Sequence, residues 1–503
     1  MRKFIPFAVL VAVIGIFSVC GSTVITADTA AMFVDTSPHR PVDPERAKRG
    51  YLFLQQLPLG PELLKLSDLD NLYKAWDGDD GEKAKNASPE TRRKLAYARY
   101  GFVDAPYENY GLPMGLAYNP NTHGVHFNCL LCHSGSIRGM IVPGLPNQRM
   151  DLATLAEDAA ALQIINTGHP NPPRPIPIPG FVSEHYSRTR GGSNVWIEEG
   201  ELPSGRTPEL RPNGHSQPSA SPNFDTTPSP YWNIKKKTRL YHAGFISVSP
   251  RPPMLAVLYD KTLTADQFTA LLPDFEDVAN WLDSVSAPKY PGPINQELAA
   301  QGKLTFEREC AGCHGTYGEH PTFPNRNIRI DVVKTDPVDL KGKGDFVSKY
   351  YGSWFNKFGL DLKTAQPGNF VKYDELRLSN KFDAVDSKDT LNQQTYIAPP
   401  LDGIWASAPY LHNGSVPTLF HLLHPDKRPA VWKVTDYDGY DDSRVGLPVE
   451  EFTAIPAIPS MTASEKRRLF DTSVFGQGNM GHPFADQLTE EERTAVLEYL
   501  KTL

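Results

Sequence analysis

Cys129-Leu130-Leu131-Cys132-His133 and Cys310-Ala311-Gly312-Cys313-His314 repeat one pattern: two thiols three positions apart, followed at once by an imidazole. This is the attachment pattern for c-type haem. The thiols form thioethers with the porphyrin vinyl groups, and the histidine is placed to ligate the iron from the proximal face. The two copies use four of the chain's five cysteines, leaving Cys20. A structural zinc site also employs paired cysteines, but it has no need of a histidine directly after each second one. The pattern therefore predicts two covalently bound haem c groups, with Cys129, Cys132, Cys310 and Cys313 as attachment residues and His133 and His314 as iron ligands.

Around these motifs the composition is that of ordinary globular material, 503 residues with 40% hydrophobic and 22% charged side chains. That excludes a disordered or fibrous protein. A formal charge of −7, with Lys235-Lys236-Lys237 as the one evident basic run, gives no electrostatic footprint for nucleic acid. The N-terminus places Arg2 and Lys3 before an apolar stretch from Phe4 to Val19 and a small-residue segment around Thr26 to Ala31. This order reads as a signal peptide over residues 1–31, and it agrees with haem attachment completed outside the bacterial cytoplasm. The expected location is periplasmic or secreted. Cys20 is read as lost with the signal, because Val19 is larger than the residue that normally precedes a lipidated cysteine. A membrane anchor is not favoured.

The motifs lie about 180 residues apart, more than a single small cytochrome occupies. The expected fold is mainly α, with two cytochrome c-like haem domains, long irregular loops and little β structure. The boundaries are 32–168 for an N-terminal haem c domain and 291–503 for a C-terminal one. Between them, 169–290 is a Pro-rich and aromatic connecting region that completes the first haem pocket. Its run Pro170 to Pro179 cannot be a helix or a central strand, and Trp196, Tyr231 and Trp232 favour an ordered loop over a linker. Helices are predicted from Pro44, over Pro273 to Val285, and over Gln296 to Phe306 running into Cys310. A last helix starts with a capping box of Thr489 and Glu492.

The stretch Pro399-Pro400-Leu401-Asp402-Gly403-Ile404-Trp405-Ala406-Ser407-Ala408-Pro409-Tyr410-Leu411-His412-Asn413-Gly414-Ser415-Val416-Pro417-Thr418-Leu419 resembles the signature of the bacterial di-haem cytochrome c peroxidase superfamily. That superfamily includes the maturation enzyme of methylamine dehydrogenase and the extracellular rubber oxygenases. Gly111-Leu112-Pro113-Met114-Gly115-Leu116, Pro230 to Lys237 and Gly478-Asn479-Met480-Gly481-His482 resemble the rubber-oxygenase-like branch. In the peroxidases a methionine in the signature closes the second haem, but here that position is Leu411, which cannot ligate iron. The resemblance to the oxygenase branch implies His482 as the second ligand of haem 2, with Met480 as its competitor.

No motif after His133 offers an evident second ligand for haem 1. Met114, Met140, Met150 and His242 remain open as candidates, against the open site that the oxygenase resemblance implies. Trp232 and His242 are candidate catalytic residues. Asp436 to Asp442 spaces carboxylates as a calcium loop does, without its terminal glutamate, so calcium stays an open cofactor. Three functions follow by analogy. The first is a dioxygenase that binds dioxygen at haem 1 and cleaves an apolar unsaturated small molecule or polymer. The second is a hydrogen peroxide-dependent peroxidase or bis-ferryl oxidase. The third is a di-haem electron carrier. A small electron-donor protein is an expected partner.

Overall fold

The computed structural model describes residues 35, 37–38, 40–168, 189–194, 225–244, 246–248, 253–254, 257, 264–341, 395–458 and 461–503. The expected signal segment, Cys20, the Pro170 to Pro179 run and Trp196 lie outside the described residues. No described helix is long and apolar enough to cross a membrane.

Two helix pairs organise the molecule. Helix α1, Pro44–Gln56, begins where the Asp43 carboxylate accepts hydrogen bonds from the Glu45 and Arg46 amides, with proline at its first position, where the missing amide proton costs nothing. Short helices α2, Gly78–Lys85, and α3, Pro89–Tyr100, follow, the latter capped by Ser88. Helix α4, Leu152–Thr167, is capped by the buried Asp151. Helix α5, Leu272–Ser284, buries Phe275, Val278, Trp281 and Leu282 and lies across α1. Helix α6, Gln296–Glu309, runs into the second haem motif, which forms the single turn α7, Ala311–His314. After the five-residue α8, Leu419–Leu423, the chain ends on α9, Glu490–Leu500, whose capping box is Thr489 and Glu492. Helix α9 packs on α6.

Each pair crosses at a glycine. A Cβ on Gly50 would stand 2.2 Å from the Asp277 carbonyl oxygen, and one on Gly302 would stand 1.9 Å from that of Ala495. Only a hydrogen fits at either crossing. Around α1 and α5 a ladder of charge adds to the apolar contact: Arg46 and Arg49 both pair with Asp277, and Arg40 pairs with Asp283.

Helix outweighs strand, roughly as a mainly α fold requires, but the fold is mixed and holds more β structure than the sequence suggests. Strands β1, Leu59–Lys65, β2, Leu116–Asn119, and β3, Gly124–Phe127, form an antiparallel sheet with β3 in the centre. Strands β4, Ser134–Ile137, and β5, Met140–Pro143, form a hairpin. Its turn is Arg138-Gly139, both at positive φ, the conformation that two-residue hairpins require. Strands β6, Asn327–Arg329, and β7, Thr395–Ile397, pair antiparallel. A second three-stranded sheet places β8, Val431–Val434, between β9, Val449–Phe452, and β10, Leu469–Asp471. These strands are three to seven residues long, too short for their alternation to stand out against the surrounding turn residues. The first haem motif consequently leaves a strand, β3, and only the second leaves a helix.

Gly302→Ala should lower the thermal unfolding midpoint, since overpacking at a fixed backbone contact costs about 1–3 kcal/mol. Leu304→Ala on the same helix, 69% exposed, should leave it within experimental error. Unfolding followed by circular dichroism separates the two.

Candidate functional site

At the first motif the Asn128 side chain accepts from the Leu130 amide and starts a 3₁₀ turn over Cys129–Leu131. Leu130 enters the core formed by α1 and α5, while Leu131 enters the core of Tyr100, Met150 and the first sheet. The two residues between the thiols thus anchor the turn on opposite sides. The Asn147 amide group donates to the Leu131 carbonyl at 3.0 Å, and its backbone N–H donates to Cys132 at 2.8 Å. His133 Nδ1 lies 3.1 Å from the Ser229 carbonyl oxygen. A carbonyl only accepts, so Nδ1 carries the proton and Nε2 keeps its lone pair for a metal. Tyr231 stacks on the imidazole, ring centres 4.1 Å apart and 14° from parallel. Burial pushes the His133 pKa down to about 4, which keeps the ring neutral, as ligation demands.

The second motif repeats the arrangement on a helix. Cys310 closes α6 through its amide to the Phe306 carbonyl, 2.8 Å, and Ala311 fixes the following turn in the core. His314 Nδ1 donates to the Pro399 carbonyl at 2.8 Å. Tyr317 donates its hydroxyl to the His314 carbonyl and accepts the Leu401 amide at 2.6 Å. Burial pushes the Cys310 thiol up to about 12 and raises Cys313 as well. No disulfide joins the cysteines of either motif.

His482 faces His314 with ring centres 6.3 Å apart. That separation is close to the span of two metal–nitrogen bonds of about 2 Å plus half a ring on each side. The His482 Nδ1 is buried without a hydrogen-bond partner. Its pKa is pushed down to about 3 by burial, then by His314 and Arg428. Met480 points outward, 61% exposed.

The segment before His482 is held from three sides. The Asn413 side-chain amide donates to the Gly476 and Gly478 carbonyls, the Asp336 carboxylate accepts the Gly478 amide, and the His482 amide donates to Val333 at 2.7 Å. Arg428 spends its guanidinium entirely on carbonyls: Asn479 at 2.6 Å, Gly481 at 2.9 Å, His421 at 3.0 Å and Leu422 at 3.2 Å. Neither Arg428 nor Asn413 was identified from sequence as serving the site, since their partners are backbone atoms of remote segments.

The structure brings the two motifs into one network. Trp232, next to Tyr231, is fully buried and donates its indole N–H to the Asp402 carbonyl at 2.7 Å. Asn233 donates to the Pro400 carbonyl, and Lys236 pairs with the Asp402 carboxylate at 2.7 Å. The segment that carries the Ser229 carbonyl to His133 is therefore bonded to the one that carries the Pro399 carbonyl to His314. His242 grips the Thr227 carbonyl through Nε2 at 2.9 Å and lies 6.3 Å from His412, whose ring stacks on Tyr396. Among the methionine candidates, Met114 and Met150 are core residues and Met140 is exposed on β5.

The calcium-like turn is engaged otherwise. Asp438 pairs with Arg149, and Asp442 pairs with Arg138 and accepts from Tyr290. Among the described residues no three His, Cys, Asp or Glu side chains converge as a metal-binding cluster.

Comparison with known proteins agrees with this chemistry over part of the chain. A family model described as RoxA-like, cytochrome c-like matches residues 395–433, the stretch running from β7 through the signature to β8. The chain is similar to two proteins of Sinorhizobium fredii (strain NBRC 101917 / NGR234). It is 30% identical to uncharacterized protein y4iM over 208 residues, 41% of this chain and 45% of that one. It is 28% identical to uncharacterized protein y4iJ over 270 residues, 44% of this chain and 42% of that one. The chain thus spans less than half the length of these curated relatives. The RoxA-like match supports the rubber-oxygenase-like branch of di-haem cytochromes, and with it haem c and an oxidoreductase class.

Arg428→Gln should release the carbonyls of Asn479 and Gly481 and let His482 move. With His482 as a haem ligand, the expected outcome is partial conversion of a low-spin haem signal to high-spin, with Arg428→Lys intermediate because an ammonium cannot serve four carbonyls at once.

Proposed function

We propose that the chain is an exported di-haem c-type oxygenase in which the haem at Cys129, Cys132 and His133 is open to substrate and the haem at Cys310, Cys313 and His314 is closed by His482. The observation that carries this reading is the His314–His482 pair, 6.3 Å apart. It gives the second motif two opposed imidazoles, and no described residue presents such a partner to His133. Each motif then defines a cytochrome c-like domain, with 169–290 completing the first pocket. Haem, when bound, supplies the redox centre that activates dioxygen for attack on a carbon–carbon double bond of an apolar small molecule or polymer.

The protein's own part is positioning. The Ser229 and Pro399 carbonyls set the tautomer and ring angle of the two proximal histidines, an outer-shell contact of the kind that tunes ligand basicity. Tyr231 and Trp232 line the passage from one motif to the other, which suits an electron-transfer or tuning role for the closed site. Apolar walls around His133 keep water from the reaction. His242, tied to Thr227 two residues before Ser229, is assigned to the frame of the first pocket. The resemblance of the signature to di-haem peroxidases keeps hydrogen peroxide as the competing oxidant. A histidine in place of the methionine ligand lowers the potential of the closed haem and favours dioxygen. A small electron-donor protein is the expected partner, and the charge balance argues against nucleic acid.

The purified protein, reduced under carbon monoxide, should bind one equivalent per chain at a high-spin haem while the second haem stays low-spin. His482→Ala should convert the second to a carbon monoxide-binding species. Two low-spin haems inert to carbon monoxide would sink the open-site reading, and an unchanged low-spin signal in His482→Ala would remove that ligand.

A further inference from the structure

Four cationic side chains are buried among the described residues: Arg99, Lys237, Arg467 and Lys501. Three have an evident counter-ion. Arg99 pairs with Asp158 at 2.7 Å, Arg467 with Glu157 at 2.5 Å, and Lys501 with Glu498 at 2.6 Å. Lys237 is 6% exposed, and its ammonium makes no ion pair and no hydrogen bond with any described residue. An ammonium taken out of water without a partner costs several kcal/mol in ordinary proteins. Its neighbours meet the rule that it breaks: Lys235 donates to the Val285 carbonyl at 3.1 Å, and Lys236 holds both oxygens of Asp402 at 2.7 Å.

The place of Lys237 in the fold indicates what is missing. Asn325 clamps the peptides on either side of it, accepting the Thr238 amide at 2.9 Å and donating to the Lys236 carbonyl at 3.1 Å. Asn325 belongs to the loop that follows the second haem motif. The next residue, Arg326, lies near enough to Cys313 to act on its thiol electrostatically, and its carbonyl accepts the Ala398 amide. Lys237 is thus pinned against the segment that closes the second motif, and Lys236 on its other side is tied to Asp402, beside the Pro399 grip on His314. Burial also pushes the Lys237 pKa down to about 8, as desolvation without compensation does.

We infer that Lys237 binds a carboxylate of the prosthetic group at the second motif, one of the two haem propionates. The inference rests on the di-haem reading above. It assigns the ammonium a partner of the right charge that no described residue provides, and it makes the run Lys235-Lys236-Lys237 three separate devices rather than a basic patch. One lysine secures α5, one secures the Asp402 segment, and one secures the cofactor. A cation paired to a propionate also stabilises the electron-rich reduced haem, so its removal lowers the reduction potential of that haem.

The test is a potentiometric titration of the holoprotein, followed optically at the low-spin and high-spin haems separately, for wild type, Lys237→Met and Lys237→Arg. The pairing predicts that Lys237→Met lowers the reduced-to-oxidised ratio of the low-spin haem at fixed potential at least tenfold, about 59 mV for a one-electron couple. Lys237→Arg should stay within threefold of wild type. An unchanged low-spin ratio in Lys237→Met, or a shift confined to the high-spin haem, overturns it. A lysine merely buried without a partner would instead give a more heat-stable Lys237→Met protein with both potentials intact. If Lys237→Met does not accumulate, Lys237→Arg decides: a tenfold shift there, or loss of the second haem, also overturns the pairing. Two haems per chain and the response of His482→Ala to carbon monoxide test the underlying reading separately, so a failure of Lys237 alone leaves that reading standing.

Discussion

The histidine of each Cys-x-x-Cys-His motif hangs from a backbone carbonyl. Ser229 accepts from His133 and Pro399 accepts from His314, each from a segment far along the chain. A thiol pair and a following histidine place the ring near its haem by covalent spacing alone, but they leave the imidazole free to rotate and to exchange tautomers. The carbonyl removes both freedoms, because it accepts only from a protonated nitrogen and only along one direction. Much of the surrounding structure serves to hold those two carbonyls still. Pro230 and Pro400 stiffen the chain beside them, Trp232 and Asn233 bond one segment to the other, and Tyr317 locks the Leu401 amide against the His314 carbonyl.

The coupling has an energetic meaning. A displacement at one gripping segment is transmitted to the other through a fully buried indole and two hydrogen bonds, so the two imidazoles are set by one packed unit. The glycine crossings at Gly50 and Gly302 complete it. Each lets the helix that serves a motif lie at backbone contact with its partner, α5 or α9, and residues 285–295 join α5 to α6. Packing at this distance transmits strain because it has no slack to absorb it.

Much of this was legible in the sequence where the determinants are local. The haem attachment pattern lies within five residues, and α1, α5, α6 and α9 announce themselves by proline, a capping box or an apolar stripe. The strands were missed because pairings such as β6 with β7 join segments widely separated along the chain, and three residues carry no periodic signal. Arg428 and Asn413 were passed over for a related reason: they act on carbonyls whose proximity only the fold creates. The acidic turn at Asp436 to Asp442 had the spacing of a cation loop, yet two of its carboxylates meet arginines of the first half, Arg138 and Arg149. A spacing pattern does not distinguish a metal from a guanidinium.

Those arginine contacts belong to a longer seam. Asp151, which caps α4 and is 1% exposed at its side chain, has Arg467 at 3.3 Å, and Arg467 also holds Thr154 and Glu157. The carboxylate belongs to the first third of the chain and the guanidinium to its last tenth. A polypeptide made from its N-terminus must therefore carry α4 with its capping carboxylate served only by Thr154 and by Arg190 at 3.8 Å, and without Arg467, until almost the whole chain has emerged. The first half reaches its final electrostatic balance last. A chain cut short before Arg467 would bury Asp151 without that partner, so truncation near the C-terminus would be felt at the opposite end of the sequence.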